Sequence, residues 1–242
     1  MASKKQHSTK HAIYDLVNFT QNKLSSQKQV GILFLDLSKA FDNVNHERLL
    51  YNCSNIGIRG LPYDWLQSFL RNRQFFVECN KIKTDTTLIS KGVPQGSILS
   101  PLLFNIYLYD IDQYNNSRII QYADDTTIIL YTDSLDDLKA LMENTYIRIK
   151  SYFQLNCLML NDNKTECIVY KNDNYIKCLR LDKTEICPSE AVKYLGIFID
   201  NKLNFHSEAN HICKKLCKLF PIIYNVREKI ILKVKGSFFF HK

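Results

Sequence analysis

The sequence predicts an α+β fold, an antiparallel sheet with helices over one face. Three observations carry that reading. Residues 30–36, VGILFLD, form an apolar run too short for a helix and closed by an acid. Residues 118–123 and 126–131 are β-rich and joined through Asp124-Asp125, a hairpin pattern. Helical apolar series run through residues 11–24 and 135–152 on either side of these strands.

Taken in order, Ile13, Leu16, Val17 and Leu24 mark the first helix, and the buried strand 30–36 follows. Asp42 and Asn43 are predicted to cap a helix through Glu47, Arg48 and Leu49. Pro62 suits the first turn of another, PYDWLQSFL, which runs into the basic RNR of 71–73. Residues 75–80 and 86–90 read as strands flanking a polar turn. Residues 92–96 form a loop, and Ser100-Pro101 opens an apolar helix through Leu108. After the 118–131 hairpin, Ser134 and Asp137 resemble a capping box. Leu135, Leu138, Met142, Ile149 and Tyr152 then give a long amphipathic helix. Strands are predicted near 165–170, 176–181 and 192–199.

With 45% hydrophobic and 23% charged residues among 242, the chain falls in the ordinary globular range, which excludes disordered and collagen-like classes. No apolar run reaches the ~18 residues of a membrane span, so no membrane partner is expected. The opening MASKKQHSTK has no apolar stretch after its lysines. An intracellular location, nucleus or cytoplasm, is therefore expected. The eight cysteines contain no CxxC pair, which favours reduced thiols in a packed interior. His211, Cys213 and Cys217 lack a fourth ligand at metal-site spacing, so zinc is not expected. Residues 201–242 carry nine Lys/Arg against two acids. That imbalance suits a polyanion gripped from this end, or equally a solvated lysine-rich helix face.

Asp36 and the pair Asp124-Asp125 stand at the ends of apolar strands. Carboxylates gathered in one place repel and raise one another's pKa, and a divalent cation relieves that repulsion. Magnesium prefers oxygen ligands and shares its shell with phosphates, and two such ions suit phosphoryl transfer. The alternative stays open on spacing alone, because Asp-Asp is an ordinary turn dipeptide.

Five blocks, in order, resemble the palm motifs of reverse transcriptases: FLDLSKAFD (34–42), GVPQGSILSPLLFNIY (92–107), YADD (122–125), LNDNKTE (160–166) and YLGI (194–197). The resemblance spans nearly the whole chain. The second block, with the later KYLGI, is similar to non-LTR (LINE-type) retrotransposon enzymes rather than retroviral ones. It implies a polymerase palm with partial fingers and a partial basic thumb. A residual fingers segment would cover 1–27, the palm 28–205 with inserted fingers elements near 60–90, and the thumb and a non-matching tail 206–242.

The resemblance also implies an RNA-directed DNA polymerase, adding dNTPs to a primer 3′-hydroxyl by two-metal phosphoryl transfer. Asp36, Asp124 and Asp125 would be catalytic carboxylates holding two Mg2+ ions, with Mn2+ as a substitute, and the Leu37 carbonyl would join the metal shell. Phe41 would be the steric gate against a ribose 2′-hydroxyl, its bland alternative being a core phenylalanine. Gln95 and Gly96 would shape the nucleotide pocket, Lys164 would stand beside the leaving pyrophosphate, and Leu195 and Gly196 would form the primer-grip turn. RNA template, DNA primer and their hybrid are the implied partners. On the basic segment, Lys214, Lys215 and Lys218 recur at helix-neighbour spacing and would follow the phosphate backbone.

The sequence departs from the family at both ends. Only MASKKQH precedes Ser8-Thr9, where the family carries basic fingers residues, leaving Lys4 and Lys5 as substitutes. The last residues, KGSFFFHK (235–242), do not resemble a finished thumb. No endonuclease or zinc-knuckle segment is present, which suggests missing regions of a larger polyprotein. Two functions remain: the polymerase, supported by the intact acidic triad, and a truncated, catalytically inactive remnant retaining the fold and at most nucleic-acid binding.

Overall fold

A computed structural model describes residues 8–111, 117–170, 176–181 and 184–237, with side chains described through Tyr224 and at Val226. Lys4, Lys5 and the Phe-rich stretch 238–240 lie outside the described residues. The chain resolves into two compact units, Met1–Ser189 and Glu190–Lys242. This division by packing falls ahead of the 205/206 boundary expected from the motifs.

The first unit opens with α1 (Thr9–Ser25) and the strand β1 (Gln29–Leu35), followed by the short β2 (Leu37–Ser38). A single 3-10 turn, Phe41–Asn43, leads into α2 (His46–Asn55) and α3 (Leu61–Leu70). The cap of α2 is Asn45, whose side chain accepts from the Arg48 N–H, rather than Asp42 or Asn43. Those two residues are held in the preceding turn, where the Asp42 and Asn43 N–H groups both donate to the Lys39 carbonyl. A two-rung ribbon follows: β3 (Arg73–Phe75) pairs β6 (Thr87–Ile89), and inside them β4 (Glu78–Cys79) pairs β5 (Ile82–Lys83). The expected 75–80 strand is thus broken after Phe75. Next come α4 (Ser100–Tyr107), β7 (Arg118–Tyr122), β8 (Asp125–Thr132) and α5 (Leu135–Leu155). The unit continues with β9 (Met159–Leu160), β10 (Glu166–Val169), β11 (Leu179–Leu181) and β12 (Thr184–Ile186).

The central sheet has the order β10-β1-β8-β7 and is antiparallel throughout. In the β1–β8 register Gly31 faces Leu130, Leu33 faces Ile128 and Leu35 faces Thr126. These residues share one face, and Leu33, Leu35, Ile128 and Leu130 join the main core with Leu138, Met142 and Ile149 of α5. A Cβ on Gly31 would meet Met142 Sδ at 2.4 Å, so this glycine sets how closely α5 approaches the sheet. Ile32, Ile129 and Tyr131 point to the other face, where the Phe19 ring of α1 meets Tyr131 edge-on. The main helical layer lies on one face as expected, and α1 adds a cover on the other. That cover explains why β1 is buried at six consecutive positions instead of alternating.

Polar side chains tie α2, α4 and α5 together. The Asn52 amide donates to the Tyr107 carbonyl at 2.9 Å, and the Tyr107 hydroxyl donates to the Asn156 carbonyl at 2.5 Å. Tyr152 donates to Asp110 at 2.6 Å, and Arg48 reaches the same carboxylate at 3.4 Å. Leaving any of these buried groups unpaired would cost roughly 1–3 kcal/mol, which fixes the helices against one another.

The second unit contains β13 (Ala191–Tyr194), β14 (Ile197–Asp200) and α6 (His206–Ser237). The expected strand 192–199 is therefore a hairpin, interrupted at Leu195-Gly196. Pro221 lies inside α6 and removes one backbone donor from the helix. Among the described residues no helix is long and apolar enough to cross a membrane.

Candidate active site

The Asp36 carboxylate stands where β1 ends, because the chain changes partner there. Leu35 still pairs Thr126 of β8, whereas Leu37 pairs Leu160 of β9. Between them the Asp36 carbonyl accepts from the Asn161 N–H at 2.9 Å. Six buried residues behind it anchor the carboxylate at a rigid strand end.

Asp124 and Asp125 come from the turn joining β7 to β8. Tyr122 pairs Asp125, leaving Ala123 and Asp124 as the two connecting residues. Asp125 is thus the first residue of a strand, followed by the buried Thr126, Thr127, Ile128, Ile129 and Leu130. Continuing the Leu35↔Thr126 register by one residue sets Asp36 opposite Asp125. Burial raises the Asp125 carboxyl above its ordinary value, and the charges of Asp124 and Asp36 raise it further. The three acids, nearly ninety residues apart in sequence, form one electrostatic neighbourhood. Among the described residues no three acidic, His or Cys groups stand as a ready metal shell, so the carboxylates are neighbours rather than a closed cage. Their oxygen-only donors and mutual repulsion nevertheless fit a hard divalent cation.

Lys164 ends a 3-10 turn, Asp162–Lys164, and its ammonium lies 3.6 Å from the Asp36 carboxylate. The residue expected beside the pyrophosphate therefore pairs here with a member of the acidic triad. A cavity of about 470 Å³ opens beside the site, lined among others by Leu37, Phe41, Gln95, Gly96, Ser97 and Asp124. Phe41 is half-buried; its ring tilts against Phe104 with centroids 5.0 Å apart while also lining this cavity. Core packing and lining of the cavity thus meet in one side chain.

Asp42, expected as a helix cap and as the last residue of the FLDLSKAFD block, also takes part in the wall of this cavity. Gln95 donates from Nε2 to the Asp42 carboxylate at 2.8 Å. The Val93 N–H donates to the Phe41 carbonyl at 2.9 Å, the Gly92 N–H to the Val44 carbonyl at 2.7 Å, and Lys91 Nζ to Asn43 Oδ1 at 2.9 Å. Gly92 has φ +88°, and a Cβ there would come within 2.8 Å of the Asp42 carbonyl oxygen. The 41–43 turn and the 91–96 loop are laced into one wall of the cavity. No spacing rule links segments about fifty residues apart, so this contact was not legible in one sequence.

The other predicted residues lie in the second unit. Leu195 (φ +47°) and Gly196 (φ +90°) are the two central residues of the β13–β14 turn, between the closing pair Tyr194 and Ile197. Two successive positive φ values are the geometry of a tight two-residue hairpin turn. Lys214, Lys215 and Lys218 are exposed on α6. Cys213 and Cys217 are exposed as well, and His211 packs its ring edge-on against Phe198 at 5.0 Å. Burial of the cysteines holds only for Cys53 and Cys167; the other six are exposed or half-exposed, a correction to the packed-interior expectation.

A sheet that presents carboxylates from a strand end and an adjacent hairpin turn, beside a cavity, defines a polymerase-type palm. Residues 1–199 match the family model described as reverse transcriptase (RNA-dependent DNA polymerase). The chain belongs to that family. It is 29% identical over 226 residues to the RNA-directed DNA polymerase from mobile element jockey of Drosophila melanogaster, covering 86% of this chain and 24% of the relative. It is 23% identical over 249 residues to the probable RNA-directed DNA polymerase from transposon BS of the same organism, covering 97% of this chain and 27% of the relative. The chain thus spans about a quarter of the length of these relatives. Its fold is similar to that of the Candida tropicalis telomerase truncated from its C-terminal domain, with TM-score 0.57 and 16% identity over 82% of this chain and 39% of that one. A C. tropicalis telomerase in complex with a fragment of telomeric RNA gives TM-score 0.58 at 15% identity, over 82% of this chain and 33% of that one.

Proposed function

We propose that this domain carries the active site of an RNA-directed DNA polymerase of non-LTR type, copying an RNA template by extending a DNA primer with dNTPs. The observation that carries the proposal is the meeting of Asp36, Asp124 and Asp125 beside the cavity lined by Phe41, Gln95 and Gly96. Asp36, Asp124 and Asp125, with the Leu37 carbonyl, would hold divalent ions, Mg2+ first and Mn2+ as its substitute. When bound, such ions supply charge neutralisation and polarisation of a 3′-hydroxyl and an α-phosphate.

The chain's own residues supply position. Strand β1 and the β7–β8 turn fix the carboxylates, and the laced 41–43 and 91–96 segments hold the nucleotide wall. Phe41 would stand beneath the sugar and exclude a 2′-hydroxyl, while Gln95 and Gly96 would border the base pair. Lys164, freed from Asp36, would neutralise the departing pyrophosphate. Leu195 and Gly196 would position the primer end, and Lys214, Lys215 and Lys218 the hybrid backbone. The family match and the relatives named as RNA-directed DNA polymerases support an RNA template.

The test is primer extension on poly(rA)/oligo(dT) with Mg2+, beside Asp124→Asn. Extension by the parent chain and its near-complete loss in the variant, with unchanged circular dichroism, is the expected result. Equal extension by both would overturn the assignment of the triad. Hybrid binding by a parent chain that never extends would favour the remnant reading.

A further inference from the structure

Three cysteines gather at the foot of the β11–β12 hairpin, in a region the polymerase site does not use. Leu179 pairs Ile186 and Leu181 pairs Thr184. One residue further out, the register sets Cys178 opposite Cys187. Their Sγ atoms stand 2.8 Å apart, against about 2.0 Å in a formed disulfide. Directly opposed residues on antiparallel strands have Cα atoms about 4.5–5.5 Å apart, inside the range a disulfide spans without moving the backbone. Cys187 is exposed and Cys178 half-exposed, so an oxidant reaches the pair. Cys167 on β10 is the third thiol. It is fully buried, and burial foremost, with Cys187 next, pushes its pKa up to about 12. Cys167 is therefore a protonated, shielded thiol and a poor competitor for either partner.

We propose that Cys178 and Cys187 are a reversible oxidation site, a thiol pair that peroxide converts to a disulfide across the base of the hairpin. The sulfur of one thiolate attacks a peroxide oxygen and the O–O bond breaks, giving a sulfenic acid and hydroxide. The sulfur of the other thiol then displaces the sulfenic hydroxyl, forming the S–S bond, and its proton leaves with that hydroxyl as water. In sum, two thiols and one hydrogen peroxide give one disulfide and two waters, the sulfurs oxidised and the peroxide reduced. A dithiol reverses the step by exchange.

The bond would act on a weak element. Each hairpin strand has three residues, and two-stranded hairpins are marginal alone. This one leans on α5, where the Arg180 N–H donates to the Glu143 carboxylate at 2.8 Å and Leu179 and Leu181 enter the core. Closing its open end would hold β11 and β12 in register against that support.

The test treats the full chain with one equivalent of hydrogen peroxide and maps disulfides by non-reducing digestion and mass spectrometry. A Cys178–Cys187 bridge is expected in the parent chain and in Cys167→Ala, absent in Cys178→Ser and Cys187→Ser, and removed by dithiothreitol. It should form roughly tenfold faster, or more, than in the urea-unfolded chain, because the folded register holds the sulfurs near attack distance. Amides of residues 179–181 and 184–186 should exchange hydrogen more slowly when oxidised. A bridge through Cys167, equal rates in folded and unfolded chains, or unchanged exchange would overturn the proposal. None of these readouts depends on polymerase activity.

Discussion

The central sheet and the β3–β6 ribbon are both antiparallel pairings in one compact unit, yet they differ in what holds them. Strand β8 buries five consecutive residues, whereas the ribbon leaves Phe75, Val77, Ile82 and Leu88 exposed. The sheet is fixed from both faces by helices and carries the carboxylates. The ribbon rests on its own ladder and on a bond from Arg73 to the Gly92 carbonyl. The acids from distant segments meet where packing over-determines position, and the less supported ribbon joins that region at its root, through this 3.3 Å bond.

The largest expected effect tests that difference in packing. Leu33, fully buried in β1, should cost about 2–5 kcal/mol when replaced by alanine, the usual range for a core leucine. Leu88→Ala on the ribbon, 66% exposed in the parent, should stay within about 0.5 kcal/mol. Urea unfolding of both variants measures it. Equal losses would mean the ribbon is part of the cooperative core.

A smaller effect separates two glycines of one loop. Gly92→Ala must push a Cβ against the Asp42 backbone at φ +88°, whereas Gly96→Ala, at φ +82°, meets nothing within 4 Å. The second should cost only about 1–2 kcal/mol of left-handed strain. The first should cost roughly 2–4 kcal/mol by adding steric displacement to that strain, and should also weaken nucleotide binding by shifting Asp42 and Gln95. Thermal unfolding and titration with a fluorescent dNTP read both. A Gly92→Ala chain as stable as Gly96→Ala would deny that the two segments are laced.

How far the sequence could be read follows the same division. Apolar runs and the five blocks marked β1, the β7–β8 hairpin and α5 within three residues, because burial imposes a period. They also marked the acids, since a strand that ends in a carboxylate leaves a visible boundary. Asn45 was missed as a cap because Asp42 and Asn43 have equal local claims, and only the Lys39 carbonyl decides between them. The Gln95–Asp42 bond and the approach of Lys164 to Asp36 depend on loops brought together by the sheet, which no single segment encodes. The ribbon's break after Phe75 has no hydrophobic alternation to announce it.

Ion pairs sharpen the comparison next. Burial works against an ionised Asp162, but hydrogen bonds from Lys150 and Tyr146, with the Lys150 charge, hold its pKa below the ordinary value. A depressed carboxylate pKa means the folded chain binds fewer protons than the unfolded one. Its stabilisation is present above the unfolded value of about 3.9 and disappears as pH falls through the folded value. Lys150→Met should therefore cost about 1 kcal/mol at pH 7, and the loss should shrink below about pH 4. The ribbon's exposed pair, Lys83 with Glu78 at 3.5 Å, is the control. Lys83→Met should change stability by only a few tenths of a kcal/mol, within the range of surface pairs. A pH-independent loss in Lys150→Met would assign its effect to packing instead.

The smallest effect lies in the turns. The ribbon turns on Asn80 (φ +51°) and Lys81 (φ +67°), and asparagine tolerates that conformation. The site turns on Ala123 at φ +53°, where a Cβ crowds the backbone and glycine is preferred. The alanine is held there by the pairing of β7 with β8 and of β8 with β1, and in the proposed site this turn presents Asp124. Strain tolerated next to a reactive group is a known companion of function. Ala123→Gly should relieve it and raise stability by up to about 1 kcal/mol, offset in part by the greater freedom of glycine in the unfolded chain. Asn80→Ala should lower stability by a similar amount, since the ribbon has no packing to hold an unsuited residue. If Ala123→Gly gains stability but loses extension activity, the strained turn is what aims Asp124. If both stability and activity are unchanged, the positive φ at Ala123 stores no useful strain, and the carboxylates are positioned by the flanking strands alone.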